Sequence, residues 1–493
     1  MKNVKNEVVD KIPTEVREVL QKIEEAGFEA YAVGGAVRDI TIGRAPKDWD
    51  VTTSAKPEEI QSLFPDSVYE NDFGTVGVKT RSEDKSVAVI EVTTFRKEGE
   101  YSDFRHPDKI EFADKVEDDL SRRDFTVNAM AMNLNGEITD PFGGKSDIEK
   151  KIVRAVGDPA RRFTEDALRL VRAIRFAAEL GFDIEGETMR EIKEKSSLLK
   201  EIASERIRDE FVKIIMSEGS GPAWGVTALE NLGLLENIIP ELREGIAVGQ
   251  NKHHIYTVWE HNLRALDYSA REGASLEVRL ASLLHDVGKP KSKAGDGPDS
   301  TFYNHEVIGG RMAAKIMDRL HFSKKIAERV THLVRNHLFY YNVGEVTEAG
   351  VRRFIRRVGE ENIDDLLKIR EADRIGSGVP KAVPYKTRHL KFMIDKVRRD
   401  PVAPKMLALN GNELMKELNV TPGPIIGKIL SVLLEEVLDD PQKNEKQILS
   451  VRAKELSVMS EKELDDLAGK AKGKKEEFEA GVEAEMKKKH KVG

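Results

Sequence analysis

Residues 31–53 read Tyr-Ala-Val-Gly-Gly-Ala-Val-Arg-Asp-Ile-Thr-Ile-Gly-Arg-Ala-Pro-Lys-Asp-Trp-Asp-Val-Thr-Thr. The apolar run from Ala30 to Val33 predicts a buried strand that stops at Gly34-Gly35. Val37 to Ile42 predicts a helical turn carrying Arg38, and a turn over Gly43 to Lys47 leads into Asp48-Trp49-Asp50-Val51-Thr52. Side chains two apart on a strand share a face, so Asp48 and Asp50 are expected to point at one spot with Trp49 buried behind them. Two carboxylates so placed can hold two divalent cations about 3.5–4 Å apart, the clamp used for in-line phosphoryl transfer. Gly34-Gly35 lets a backbone approach a triphosphate closely, and amides at the following helix start favour anions. An isolated Asp-x-Asp is usually a solvated strand end; the order of the whole string carries the reading.

That string resembles the signature of the polymerase-beta-like nucleotidyltransferases, specifically the bacterial class II tRNA nucleotidyltransferase (CCA-adding) and poly(A) polymerase family. The resemblance covers roughly residues 14–455 and implies an α+β fold. A nucleotidyltransferase head with a mixed sheet and helices would be followed by all-α neck, HD and tail domains. The expected boundaries are 1–160 for the head, 161–225 for a neck that selects nucleotides and binds RNA, and 226–380 for an HD metal-dependent phosphohydrolase domain. Residues 381–455 would form a helical tRNA-binding tail, and 456–493 a charged extension that is a solvated helix or disordered.

Composition sets the outer limits. A chain of 493 residues has material for three or four domains. It has no cysteine, which excludes disulfides and thiolate zinc sites. No apolar run reaches the ~18 residues of a membrane helix and the N-terminus lacks a signal-peptide core, so a cytoplasmic protein without membrane contact is expected. The net charge of −7 speaks against a uniformly basic RNA coat, not against local basic stripes. Such clusters occur at Arg122-Arg123, Arg161-Arg162, Arg169/Arg172/Arg175, Arg352-Arg353 and Arg356-Arg357.

Along the chain, residues 14–26 predict a helix with Thr14 as N-cap, and Ser54 and Pro57 open another reaching about Leu63. Thr75 to Lys79 and Val87 to Thr94 read as strands, the second offering Glu91 as a third acid for the metals. Thr94 to Pro107 is charged and aperiodic, so it reads as a loop. In the family a similar stretch is the flexible loop needed to pass from adding C to adding A, which argues against a CC-only enzyme. Arg122-Arg123-Asp124 looks like the family's RRD motif, which contacts nucleotide sugar and phosphates. A guanidinium fork suits that task because it binds phosphate bidentately. Asp140-Pro-Phe-Gly-Gly-Lys145 closes the head with turn chemistry.

Arg161 to Phe176 predicts one helix with Thr164 as N-cap. Asp166, Arg169, Arg172 and Arg175 recur every third residue on one side; Leu168, Val171, Ile174 and Ala178 take the other. By spacing alone this is a salt-bridged surface. Glu165-Asp166-Ala167-Leu168-Arg169, however, looks like the family's EDxxR element, which selects nucleotides without a nucleic-acid template. A carboxylate only accepts hydrogen bonds and a guanidinium only donates them. Asp166 with Arg169 therefore matches the amino donor and ring-nitrogen acceptor of cytosine and of adenine, while uracil and guanine leave both groups unpaired. The family often has Pro where Ala167 stands. On this resemblance Asp48 and Asp50 are catalytic and hold Mg²⁺. Gly35, Arg38 and Arg123 handle triphosphate and sugar, and Arg172 and Arg175 help hold the nucleotide. Gly181 to Met216 reads as helical, and Leu407 to Gly427 as two helices around a Pro/Gly turn, similar to segments expected to touch the tRNA elbow.

A second set of groups lies between 250 and 375: His261, His285-Asp286, His305, His337 and Asp373. Neutral imidazoles and carboxylates suit Mn²⁺, Fe²⁺, Ni²⁺ or Zn²⁺. In this order they resemble the HD phosphohydrolase superfamily. The resemblance makes His261, His285, Asp286 and Asp373 the core ligands and gives His305 and His337 to a second metal. It implies 2′,3′-cyclic phosphodiesterase or phosphatase activity.

The expected reaction is addition of C, C and A to a tRNA 3′ end from CTP and ATP. A poly(A) polymerase on the same scaffold typically carries a basic stretch where this chain has Asp72-Phe-Gly-Thr-Val76. An A-only enzyme keeps the same loop and selecting residues. From other classes, an HD phosphohydrolase with a nucleotide-sensing head conflicts with intact Asp48 and Asp50. An inert RNA-binding scaffold conflicts with two complete ligand sets.

Overall fold

The computed structural model describes residues 11–71, 74–99, 110–250, 255–295, 297–379, 381–398, 407–460, 462–469 and 487–492. The chain divides into two compact units, Met1–Leu338 with Asp364–Pro380, and Phe339–Ile363 with Lys381–Gly493.

The first unit opens with a mixed seven-stranded sheet in the order β3-β4-β5-β2-β1-β8-β9. The strands are β1 (Ala30–Val33), β2 (Asp50–Thr53), β3 (Ser67–Asn71), β4 (Thr75–Lys79) and β5 (Val89–Thr94), with β8 (Ala131–Met132) and β9 (Ile138–Thr139) at the far edge. All neighbours are antiparallel except β2 and β5, whose parallel register sets Asp50 beside Glu91. Alternation explains the buried face, which collects Val51, Val76, Val78, Ile90 and Val92. The Thr14–Glu25 helix lies beside β1 and buries Val16, Val19, Leu20 and Ile23, the three-and-four spacing of one helical face.

Several expectations shift. Thr14 is the first helical residue after Pro13, and no side chain caps that end. The strand expected from Asp48 starts at Asp50, and the one expected from Val87 starts at Val89. Part of the expected loop is a ladder, β6 (Arg96–Glu98) pairing with β7 (Ile110–Phe112). Its charged residues hid the alternation, because a small two-stranded ladder need not bury a face; residues 100–109 lie outside those described. The segment from Gly181 is not helical throughout: Asp183–Ile184 pairs in parallel with Ile152–Val153 before the Gly186–Glu194 and Ser204–Met216 helices.

The helix expected over Arg161–Phe176 is two helices, Pro159–Glu165 and Leu168–Leu180. Asp158 caps the first by accepting from the Ala160 N–H. Thr164 is interior, its hydroxyl donating to the Ala160 carbonyl. The break falls at Asp166, which is extended (φ −139°, ψ 105°) and accepts the Leu168 N–H at 3.0 Å, acting as a cap for the second helix.

Further helices of this unit include Val258–Arg271, Leu276–Leu284, His305–Arg319 and Lys324–Asn336, with Ile363–Gly376 supplying the last. The second unit has its own core, in which Leu409, Leu414, Ile429, Leu433, Leu449 and Leu456 close the Gly411–Leu418, Pro424–Asp439 and Lys446–Ser457 helices. The first two flank the expected Pro/Gly turn. Leu464 joins this core, so the start of the charged extension is packed where solvation was expected; residues 470–486 lie outside those described. Among the described residues no helix is long and apolar enough to cross a membrane.

Candidate active site

The head's chemistry gathers at the start of β2. Trp49 and Val51 are buried, whereas Asp48 and Asp50 are exposed. Surrounding protein raises the Asp50 carboxyl above its usual range, Arg123 opposes the shift, and the Asp48 charge adds to it. The two acids therefore crowd one another under a nearby guanidinium. Glu91 flanks Asp50 on the neighbouring strand.

Gly34 links β1 to the Gly35–Thr41 helix at φ +76° and ψ −130°, a conformation that only glycine adopts readily. A Cβ there would stand 2.9 Å from Nη1 of Arg123. The glycine thus makes room for the arginine as well as for the turn. Arg123 is held at 3.6 Å by the fully buried Asp119, which also takes Arg122 through Nε and Nη2 at 2.9 and 2.8 Å. Burial alone would raise the Asp119 carboxyl; Arg122 and Arg123 outweigh it and bring it below the usual range. Nε of Arg123 is buried without an acceptor among the described residues, a donor suited to a polyanion. The Arg38 guanidinium donates to Asn128 at 2.7 Å and to Asp39 at 2.9 Å.

The arginine stripe is an interior ion-pair ladder. Arg169 donates to Glu165 at 2.7 Å and to the carbonyls of Arg162 and Arg122 at 3.1 and 3.2 Å. Arg172 grips Asp124 through Nε and Nη2 at 2.8 and 2.6 Å. Arg175 pairs with Glu210 and Glu179, each at 2.9 Å. Burial works against the ionised Asp124, yet Arg172 and Arg169 bring its carboxyl down to about 2. Glu210 is likewise lowered, burial being outweighed by Arg175 and Arg172. Asp166 does not pair with Arg169; it meets Arg206 of the Ser204–Met216 helix at 3.0 Å. Arg206, Glu210, Asp119 and Asn128 were not singled out in the sequence. The three-residue polar spacing signalled the Arg side of these pairs, but only folding supplies the partners.

In the helices from Val258 onward, all six expected residues converge. Nε2 of His261 lies 2.9 Å from Nε2 of His285, 3.1 Å from Asp286 and 3.3 Å from Asp373. On the other oxygen of Asp286, His305 and His337 approach to 3.3 and 3.7 Å. His285, His305 and His337 each turn Nδ1 to the carbonyl three residues earlier, of Ser282, Phe302 and Val334, at 2.7–2.8 Å. That contact keeps the proton on Nδ1 and aims the Nε2 lone pair inward, as in metal centres. Lys289, also not singled out, forms an ion pair with Asp286 at 2.5 Å and donates to Gln250 at 2.6 Å. Burial alone would lower His261, but Asp286 and Asp373 lift it to about 9; burial with His285 beside it presses His337 down to about 3. The acids draw a proton onto His261 where a cation would satisfy them equally. The donor set thus fits a divalent metal.

Three family profiles match in succession: "Poly A polymerase head domain" over 30–154, "Probable RNA and SrmB- binding site of polymerase A" over 181–246, and tRNA nucleotidyltransferase domain 2 over 307–453. The CCA-adding enzyme of Lactobacillus helveticus is 49% identical over 218 residues, 43% of this chain and 52% of that protein. The match to the CCA-adding enzyme of Ligilactobacillus salivarius is 34% identical over 455 residues, 91% of this chain and 98% of that one.

The chain belongs to the CCA-adding enzyme family. It is a nucleotidyltransferase. The crystal structure of the Bacillus stearothermophilus CCA-adding enzyme in complex with CTP superposes with a TM-score of 0.57 at 27% identity, covering 90% of this chain and 96% of that one. The α+β architecture expected from the sequence, a head sheet followed by helices, is that of this family.

Proposed function

We propose that this CCA-adding family member extends tRNA 3′ ends with C, C and A from CTP and ATP, and works in the cytoplasm. The observation that carries the reading is the Asp124–Arg172 ion pair. It fastens the Arg122-Arg123-Asp124 segment of the head to the helix that follows Asp166 and carries Arg169. Triphosphate-binding and base-reading groups are thereby held in one frame.

In this reading the 3′-hydroxyl oxygen of the RNA forms a bond to the α-phosphorus, the bond to the bridging oxygen breaks, and pyrophosphate leaves with that electron pair. Asp48 and Asp50 would hold Mg²⁺, which when bound supplies activation of the hydroxyl and neutralisation of the leaving charge. Their crowding and the raised Asp50 carboxyl fit that role, since a cation relieves the repulsion. The Arg123 fork faces the phosphates, with its buried Nε as a ready donor. Asp166 accepts the amino group of cytosine or adenine while Arg169 donates to the ring nitrogen. The test is incubation with tRNAs ending before CCA, after C and after CC, with labelled CTP or ATP. Incorporation of both, abolished by Asp48→Ala, supports the reading; long A tails on arbitrary RNA favour a poly(A) polymerase, and A addition alone an A-only enzyme.

Convergence of four imidazole Nε2 atoms on Asp286 supports a second activity on the same chain, HD-type hydrolysis of 2′,3′-cyclic phosphates with Mn²⁺, Ni²⁺ or Fe²⁺. Loss of hydrolysis in a His285→Ala, Asp286→Ala double variant tests it; no hydrolysis with any divalent metal removes it.

A further inference from the structure

Residues 487–492 fold back onto the second unit. They read Lys-Lys-Lys-His-Lys-Val, four lysines and a histidine with no acid among them. The last family profile stops at residue 453, so this stretch lies well beyond it. The residues form one closed helical turn. The Val492 N–H donates to the Lys487 carbonyl at 3.0 Å and the Lys491 N–H to the Lys488 carbonyl at 3.2 Å, with Lys491 left-handed at φ +51°. This is a Schellman closure, in which glycine is the usual left-handed residue. A lysine there accepts backbone strain. Two contacts hold the turn on the Tyr385–Arg398 helix. Val492 is buried against Phe392, and Lys489 and His490 both reach Oδ2 of Asp395 at 2.9 Å. Burial works against the charged Asp395, and Lys489 and His490 outweigh it, holding the carboxyl below its usual range.

Asp395 matters because of its neighbours. Arg388, Lys391, Asp395 and Arg398 follow one another at three- and four-residue steps. They therefore share one face of that helix, about 15 Å long at a rise of 1.5 Å per residue. Asp395 is the one acid in that row, and the terminal turn covers it with an ammonium and an imidazole. Lys488 and Lys491 stand exposed and pair with no acid among the described residues. Arg388 keeps a buried Nε without an acceptor among the same residues. Such a concentration of cations is no by-product of composition, since the whole chain carries a net charge of −7. We infer that residues 487–492 are an RNA-binding element: they cancel the acid on the Arg388–Arg398 face and add Lys488 and Lys491 as contacts to the phosphate backbone of the tRNA. This rests on the tRNA substrate of the reading proposed above. Ammonium groups on flexible stems suit the task. Phosphate contacts position an RNA without reading its sequence, and an enzyme that extends every tRNA needs a grip that ignores sequence.

The experiment measures tRNA binding across a series of salt concentrations for the full chain, its Lys488→Gln, Lys491→Gln double variant and a chain ending at Met486. Loss of two phosphate contacts should make the slope of log Kobs against log salt shallower by about 1.4–1.8 in the double variant. Binding at low salt should weaken several-fold. The shortened chain should lose at least as much, and Asp395→Asn added to it should recover part of the loss, because the uncovered acid no longer repels phosphate. No recovery overturns the role given to Lys489 and His490. A turn that only props the fold predicts a lower melting temperature on shortening and a double variant with the parent's slope and affinity; that result overturns the inference. So does a double variant that loses binding to phosphatidylserine vesicles while its tRNA binding is unchanged. If the shortened chain fails to fold, the double variant, which keeps Lys489, His490 and Val492, decides alone. A parent that binds no tRNA removes the CCA reading together with this one, and that failure shows before any variant is made.

Discussion

Asp124 and Arg172 share a two-pronged contact of 2.8 and 2.6 Å that joins the end of the head to the middle of the Leu168–Leu180 helix. The Asp124 carboxyl is held at about 2, below the ~3.9 of an unfolded chain. For an acid depressed in the folded state, the stabilisation is complete above the unfolded value and is lost as pH falls through the folded one. The pair should therefore contribute about 2–3 kcal/mol at pH 5 and above, vanishing between roughly pH 4 and pH 2. Melting temperature measured across that window should fall less steeply in Asp124→Asn than in the parent, because the variant has already lost the pair. Equal slopes would remove the assignment.

Asp50→Asn should separate stability from activity. Protein surroundings and Asp48 raise the Asp50 carboxyl, so its negative charge works against the fold. The variant should melt at or above the parent temperature while nucleotide incorporation drops by three orders of magnitude or more, a rough figure for loss of a metal-holding acid. A lowered melting temperature would contradict the crowding argument.

Gly34→Ala should be costly in two ways. A side chain at φ +76° is strained by about 1–3 kcal/mol, and its Cβ would meet Arg123 at 2.9 Å. Incorporation should decline more than stability loss explains, with KM for the nucleotide rising as Arg123 is pushed aside. An unchanged KM would detach Arg123 from triphosphate binding.

Metal should stabilise the histidine cluster by mass action. Mn²⁺, Ni²⁺ or Fe²⁺ at a hundredfold excess over its dissociation constant should contribute about 2.7 kcal/mol. Calorimetry should show the matching upward shift in melting, and it should vanish in the His285→Ala, Asp286→Ala double variant. A shift that survives in that variant would place the metal elsewhere.

The residues that were easiest to read from sequence are those whose signal is local. Asp48 and Asp50 announce themselves through period-two alternation around a buried Trp49, and Gly34 through the end of an apolar run. The break at Asp166 was invisible for a physical reason. Leu168, Val171 and Ile174 keep a helical spacing right up to it, and no Gly or Pro interrupts the run from Arg161 to Phe176. The interruption is made by Asp166 accepting the Leu168 N–H and pairing with Arg206 on a later helix. The two-residue strands β8 and β9 are too short to show any period. The histidine cluster is assembled from widely separated segments, so resemblance, not spacing, brought its members together.

Asp286 places one imidazole pair on each of its two oxygens, Oδ2 toward His261 and His285, Oδ1 toward His305 and His337. The carboxylate plane has a single torsion with which to serve both. A tug on either side rotates the other, so neither half can be tuned by mutation or filled by ligand as though it were alone.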